Sequence, residues 1–213
     1  MSKTLKNLQI HDSNGLNKIL QKGQLLYCEN DSFRGIFMVI SGVIKQYRLT
    51  IDGEEVITGF LLPGEWCGLS DLSKTRYSGS AKALDTSTVR LFSSTLLKEI
   101  MSEQQGRKEV YNILSNVIKE YNQRYYLLTK ACVKVRLAMF IIDMSNRYGL
   151  LGYSSREFRL PMSRGDIAKY LGVVPETISR EFTYFEKNQI FSFRNHFITI
   201  NQFDILKKII SNG

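Results

Sequence analysis

The sequence predicts an α+β chain in three parts: an antiparallel β-roll over residues 1–102, one long helix over 103–129, and a winged helix-turn-helix over 130–213. Three observations carry this division. Short apolar or alternating runs broken by turn residues fill the region from Gly23 to Phe92. The apolar period then lengthens to alternating steps of three and four. The last third holds a capped helix, a glycine turn and a second helix headed by proline, followed by two short β-prone runs. A change of hydrophobic period along a chain marks a change in the element that buries it.

At the front, GIFMVISG, VIKQYRL, EVITGFLL and STVRLF have strand length and composition, with Asp52-Gly53 and Pro63-Gly64 as turns between them. Many short strands with frequent turns describe a roll or barrel, whose corners are expected at Gly35, Gly42, Gly53, Gly59, Gly64, Gly68 and Gly79. From about Glu103 to Thr129, the residues Tyr111, Leu114, Ile118, Tyr121, Tyr125 and Leu128 form the seam of a coiled-coil-like helix. Such a seam pairs with its copy in a symmetric homodimer, and Val110 and Val117 widen it enough to reach the domain beneath as well. The alternative is a stripe that packs on its own β-domain. A second amphipathic helix over about Val133 to Tyr148, carried by Val135, Leu137, Ala138, Ile141, Ile142 and Met144, is expected to end before Gly149. A loop with Gly152, Ser154 and Ser155 follows, and the boundary of the last domain falls near Thr129 to Ala131.

The most informative stretch is SRGDIAKYLGVVPETISREFTYFEKNQI, starting at Ser163. Ser163 caps a helix whose third residue is Asp166, with Ile167, Ala168 and Leu171 inward, and Gly172 supplies the left-handed residue of a tight turn. Pro175 opens a second helix, with Glu176 in its favourable first turn and Ile178, Phe182 and Phe185 at helical spacing. This is helix, short turn, helix. The outward positions Glu176, Thr177, Ser179, Arg180 and Tyr184, with Ser163 and Arg164 at the start of the first helix, form a candidate DNA-binding set. Arg pairs bidentately with guanine and Glu accepts from cytosine N4. At a spacing of four, Glu176 and Arg180 can equally form a surface ion pair. IFSFR, Asn195-His196 and FITI then read as a two-stranded hairpin, and a short helix from about Asn201 to Ile210 closes the chain. Arg194 at the hairpin tip can meet a phosphate or simply be a solvated turn residue.

Composition narrows the function classes. Hydrophobic residues make up 43% of the 213 and only three prolines occur, so the chain has enough apolar surface to fold throughout. The formal net charge is +9, and from Lys130 onward 13 Lys and Arg face 7 Asp and Glu, a balance suited to a phosphate-bearing partner. Cys28, Cys67 and Cys132 are scattered and odd in number, which argues against a disulfide framework and for a cytoplasmic setting. No apolar run approaches the roughly 20 residues of a membrane span, and the polar N-terminus lacks a signal-peptide core. The two histidines, His11 and His196, lie at opposite ends of the sequence, and neither a clustered metal set, a phosphate-cradling lysine loop nor a nucleophile with a base partner is evident. Neither catalysis nor a bound cofactor or metal is expected. A winged helix that binds protein rather than DNA is the remaining rival, separated from DNA reading by salt dependence.

With these residues in view, the chain resembles the CRP/FNR family of bacterial transcription regulators over nearly its whole length. LQKGQLLYCENDSFRGIFMVISGVIKQYRL resembles the opening of that family's cyclic-nucleotide-binding-like roll, a double-stranded β-helix, and SREFRLPMSRGDIAKYLGVVPETISREFTYFEKNQI is similar to the FNR branch. The resemblance implies that Glu176, Ser179 and Arg180 contact bases, on double-stranded promoter DNA with a palindrome of TTGAT-like and ATCAA-like half-sites. Pro175 replaces what is often Val in the family, which leaves the outer base open. RNA polymerase is an implied partner, touched by roll loops around Thr50 to Glu55. The FNR branch holds an iron–sulfur cluster through grouped N-terminal cysteines and one in the roll, whereas no cysteine here precedes Cys28, so no cluster is expected. In relatives that bind cyclic AMP, a Gly-Glu pair and a later Arg-Ser-Ala hold the nucleotide. Gly64 and Glu65 match the first, but Gly79-Ser80-Ala81 lacks the arginine, for which Arg76 substitutes only if its loop folds back. Gly64, Glu65, Cys67, Arg76 and Ser80 are therefore the candidate effector pocket, the small-molecule effector itself is unknown, and Cys67 reads either as a redox-sensitive thiol or as a small buried side chain.

Overall fold

The structure, a computed structural model, describes residues 16–130 and 132–212. His11 and Ala131 lie outside the described residues. The chain divides into two compact units, one ending at Glu120 and the other beginning at Tyr121. This division falls inside the long helix rather than near Thr129 to Ala131.

Among the described residues of the first unit, eight strands form two antiparallel sheets. β1 (Leu16–Leu20), β8 (Ser87–Ser93), β3 (Gly35–Ser41) and β6 (Trp66–Cys67) follow one another across the first sheet. β2 (Leu25–Tyr27), β7 (Ser80–Ala83), β4 (Ile44–Leu49) and β5 (Glu55–Leu61) make the second. The four expected runs are β3, β4, β5 and β8. Sequence reading missed β1, which precedes Gly23, and the short β2, β6 and β7, whose few residues show too little alternation to register alone. Gly59 is no corner: it pairs with Gln46 beside an irregularity in the β4–β5 register. Gly79 precedes β7, where a Cβ would meet the Tyr47 carbonyl at 2.9 Å.

Leu20, Phe37, Val39, Ile44, Ala81, Ala83 and Val89 pack between the sheets with Tyr27, Cys67 and Tyr77. The polar atoms of this core are paired, as burial requires. Tyr27 and Tyr77 stack at 3.8 Å between centroids, and the Tyr77 hydroxyl donates to the Gly35 carbonyl at 2.7 Å. The Tyr27 hydroxyl accepts from Gln46 Nε2 at 3.3 Å and shares a hydrogen bond with Cys67 Sγ at 3.1 Å. Burial pushes the Cys67 thiol up to about 12 and raises Tyr27 well above the usual phenol value.

The other face of the first sheet carries Ile36, Met38 and Phe92, which pack with Leu69 and Leu97. A helix not foreseen from the sequence, α1 (Ser94–Ser102), supplies Leu97 and is capped by Ser93 Oγ, which accepts from Leu96 N at 3.2 Å. α2 (Gln104–Thr129) runs on from it, and its Ile113, Leu114 and Val117 lie against the same cluster. Val110 is buried as well.

The second unit begins with the last turns of α2, where Leu127 is buried. α3 (Val133–Leu150) carries Val135, Leu137, Ala138, Phe140, Ile141 and Met144 into the core. It runs through Gly149 rather than stopping before it; the Leu151 amide still bonds back to Arg147 and Tyr148 carbonyls, and the chain turns at Gly152. β9 (Glu157–Arg159), α4 (Arg164–Leu171), α5 (Pro175–Lys187), β10 (Phe191–Arg194), β11 (Phe197–Ile200) and α6 (Phe203–Ser211) follow. The expected two-stranded hairpin is a three-stranded sheet in the order β10-β11-β9, because Phe158 pairs opposite Ile198 and both side chains are buried. Among the described residues, no helix is long and apolar enough to cross a membrane.

Two outcomes test this packing. Gly35 has φ 141°, and a Cβ there would stand 2.0 Å from the Phe92 carbonyl oxygen. Gly35→Ala should therefore cost more than about 2 kcal/mol, read as a lowered urea midpoint; an unchanged midpoint contradicts the β3–β8 register. The native state holds the Cys67 proton to about pH 12, while an unfolded thiol releases it near about 8.5. Stability should thus decline as pH rises through that window. In native protein at pH 8, alkylation should reach exposed Cys132 and spare Cys67 until denaturant is added; mass spectrometry showing early Cys67 adducts would contradict the closed roll.

Candidate nucleic-acid interface

α4 begins with a full capping box. Ser163 Oγ accepts from the Asp166 amide at 2.9 Å, and Asp166 Oδ2 accepts from the Ser163 amide at 3.2 Å. The Ser163 hydroxyl also donates to Asp166 Oδ2 at 2.7 Å, so this expected DNA contact is engaged in shaping the helix start. At the other end, Gly172 adopts φ 66°, and the Val173 amide reaches back to the Ala168 carbonyl at 3.0 Å. This left-handed residue turns the chain toward α5. Val174 precedes α5 without a side-chain cap, and Pro175 occupies its first turn.

One face of α5 is fixed by burial of Ile178, Phe182 and Phe185. Phe182 meets Phe191 and Phe193 edge-on at 5.4 and 5.5 Å. The opposite face presents Glu176 and Arg180 exposed, with Thr177 and Ser179 half-buried beside them. Arg180 Nη2 donates to Thr177 Oγ1 at 3.2 Å, turning toward Thr177 rather than Glu176. Glu176, Ser179 and Arg180 follow at steps of three and one, so they share a face.

Arg164 is held differently from the solvent-facing contact expected of it. Its guanidinium lies 3.6 Å from Glu186 Oε2 and stacks over Phe182 at 4.9 Å. Glu186 Oε1 in turn accepts from the Phe193 amide at 3.2 Å, so this pair ties α4, α5 and β10 together. Tyr184 is exposed, with Lys134 Nζ 3.6 Å above its ring. Sequence reasoning missed Lys134 because the two residues meet only through the packing of α3 on α5. In the β10–β11 hairpin, Asn195 and His196 have φ 50° and 65°, the geometry of a type I′ turn. Arg194 stands exposed beside them.

The seam residues of α2 sort by face. Tyr111, Ile118, Tyr121 and Tyr125 are exposed, Ile118 at 60% and Tyr125 at 72%. Leu114 and Leu128 are half-buried, and Leu114 packs on its own roll rather than standing free for a partner.

Each candidate effector residue has its own partners within the roll. Gly64 turns the chain, its amide bonding the Val39 carbonyl at 2.8 Å, and Glu65 Oε2 accepts from the Leu62 amide at 3.0 Å. Cys67 points into the core. Ser80 is buried, with Oγ accepting from the Glu29 amide at 2.9 Å. Arg76 lines an open surface hollow with Asn30, Ser73, Lys74, Thr75, Tyr77 and Ser78. Its Nη1 donates to the Asn30 carbonyl at 2.6 Å, which keeps the cation on that rim. A cyclic phosphate needs a cation beside the serine, whereas the Arg76 guanidinium is engaged by the Asn30 carbonyl. Nor do the cysteines fit a cluster: Cys67 is enclosed beside Tyr27, Cys28 is half-buried, and Cys132 is exposed in the other unit.

Residues 17–104 match the cyclic nucleotide-binding domain family, and residues 135–209 match the Crp-like helix-turn-helix domain family. Regulatory protein HlyX of Actinobacillus pleuropneumoniae is 37% identical over 190 residues, covering 89% of this chain and 79% of its own length. Transcriptional activator protein anr of Pseudomonas aeruginosa is 39% identical over 194 residues, covering 87% of this chain and 79% of its own. Among solved structures, FixK2 from Bradyrhizobium japonicum aligns over 92% of this chain and 96% of its own with a TM-score of 0.83 and 25% identity. With both domain families matched in order and relatives of this identity aligned along most of their length, the chain belongs to the CRP/FNR family of DNA-binding transcription regulators.

Proposed function

We propose that this regulator works in the cytoplasm as a homodimer on a promoter palindrome with TTGAT-like and ATCAA-like half-sites, reading each half with Glu176, Ser179 and Arg180. The observation that carries this reading is the division of α5. Its apolar stripe is fully buried, which leaves only the polar face bearing Glu176, Ser179 and Arg180 to enter a groove. Thr177 positions Arg180, and Arg194 at the wing meets a phosphate. Ser163, Arg164 and Tyr184 contribute through the capping and packing described above, and any approach they make to the backbone is secondary to those roles.

Dimerisation through α2 is supported by the exposed Tyr111, Ile118, Tyr121 and Tyr125, whose apolar area is an unfavourable surface for a lone helix. Leu114 and Leu128 flank this seam and join it to the bodies beneath. The domains assigned are a roll, the seam helix and the DNA-binding domain, with the last turns of α2 counted with the DNA-binding domain. The protein functions without an iron–sulfur cluster and without cyclic AMP, a reading supported by the enclosure of Cys67 and by the anchoring of Arg76 to Asn30. RNA polymerase meets the hairpin between β4 and β5, where Ile51 is fully exposed. No catalytic step belongs to this reading.

The first test is binding of purified, ligand-free protein to a TTGAT/ATCAA duplex and to a scrambled one. The expected outcome at near-physiological salt is at least about a thousandfold preference for the palindrome, the lower end for specific binders. Equal affinity for the two would sink the half-site assignment. Arg180→Ala should cost about 1 to 3 kcal/mol of binding and relax discrimination at one base pair. If the base preference of that variant matches wild type across all single-base changes, Arg180 does not read a base.

A further inference from the structure

Reading a half-site is the work of α5, but nothing in α5 sets the distance to its copy across a dimer. That distance depends on how the helix-turn-helix is fixed to the seam-bearing end of α2, and two half-buried arginines make the connection within the C-terminal unit. Arg136, in the first turn of α3, donates from Nε to the Lys130 carbonyl at 2.6 Å and from Nη1 to the Leu171 carbonyl at 3.0 Å. Arg124 lies on α2 between the seam residues Tyr121 and Tyr125. Its guanidinium covers the Tyr170 ring at 4.4 Å, and Nη2 donates to the Tyr170 carbonyl at 3.5 Å.

Tyr170 and Leu171 are the last two residues of α4, so both cations meet carbonyls at the negative end of one helix. Those carbonyls lack intrahelical partners, and satisfying them from α2 and α3 holds the whole motif to the preceding helices. The turn itself is drawn in: a Cβ at Gly172 would stand 3.9 Å from Leu128 Cδ2 and 4.0 Å from Arg136 Nη1. A guanidinium suits the task because its fixed fork serves two carbonyls at once, which an ammonium point charge does not. With Arg136 donating to two carbonyls and the Arg124 guanidinium covering the Tyr170 ring, both half-buried, these arginines are poorly disposed to neutralise phosphates.

We propose that Arg124 and Arg136 are positioning residues that fix half-site spacing, locking the helix-turn-helix to the end of the paired helices so that the dimer accepts one centre-to-centre distance. The inference rests on the reading of α5 as the DNA-reading helix of a homodimer. One inserted base pair turns a half-site by roughly a tenth of a helical turn, which a rigid connection does not absorb.

The experiment uses the full chain with Arg136→Lys, Arg124→Met and the double variant. Affinity is measured on palindromes at the preferred spacing and with one base pair added or removed, on a single half-site, and as a function of salt, alongside thermal melting. Wild type is expected to lose about tenfold or more for each change of spacing, and the double variant less than about threefold, with single-half-site affinity and salt slope preserved. Should the double variant melt early, Arg136→Lys, which keeps the cation at the end of α4, must still broaden the spacing profile. A variant profile that superimposes on wild type overturns the inference, as does a salt slope reduced by about one charge per arginine, which would make these residues phosphate contacts. A wild type indifferent to spacing overturns the palindromic-dimer reading itself and this inference with it.

Discussion

The burial of Ile178, Phe182 and Phe185 on one side of α5 is the constraint from which the rest of the DNA-binding unit follows. Full burial of side chains of this size is worth about 1.5 to 3 kcal/mol each, far more than any single polar contact on the opposite face. Rotating α5 to show a different face would expose that stripe, so the helix has one usable orientation. Arg164, Glu186 and Phe193 then act on an orientation already set, closing the angle between α4, α5 and β10 rather than creating it. The capping box at Ser163 and the left-handed Gly172 decide where each helix starts and stops. Hydrophobic burial chooses the face, and directional polar contacts refine its placement.

The roll obeys the same division of labour with the opposite emphasis. Tyr27 and Tyr77 put two phenols inside the core, each of which needs a hydrogen-bond partner there. Gln46, Cys67 and the Gly35 carbonyl provide those partners. Once the network is made, removing one member strands another, so the set is retained or lost together. This is why Cys67 belongs to the packing of the fold. A thiol held protonated by burial and bonded to a buried phenol has neither the access nor the charge that redox chemistry needs.

What was legible in the sequence follows from the range of the physical cause. The capping box, the Gly172 turn, Pro175 and the stripe of α5 are all decided within a few residues, and each was read correctly from local spacing. The four longer strands of the roll were legible for the same reason. β9 was not, since Glu157–Arg159 becomes a strand only because β11 offers an edge to it. The capping role of Ser163 was evident, yet the bracket made by Arg164 was not, because Glu186 lies more than twenty residues on and nothing local announces the pair. The candidate effector residues show the same limit of local reading. They were gathered by motif position, whereas the fold turns Cys67 of β6 inward and places Arg76, in the segment before β7, on a surface rim.

Charge shows most plainly why counting residues differs from counting contacts. The basic excess after Lys130 correctly pointed to an anionic partner, but it overstates the number of cations that meet phosphate. Arg136 is bonded to two carbonyls, Arg147 pairs with Asp143, Arg156 covers Phe203, and Arg164 is bracketed by Glu186 and Phe182. Each of these positive charges still contributes to the long-range field that draws DNA toward the unit. Only a cation that displaces condensed counterions at the surface enters the salt dependence of binding. Attraction at a distance and grip at contact are therefore carried by overlapping but unequal sets of residues. Lys169, Arg180, Lys187 and Arg194 stand exposed on the unit, while Arg136 and Arg164 act within it, Arg164 bracing α4 against α5 through Glu186 and Phe182.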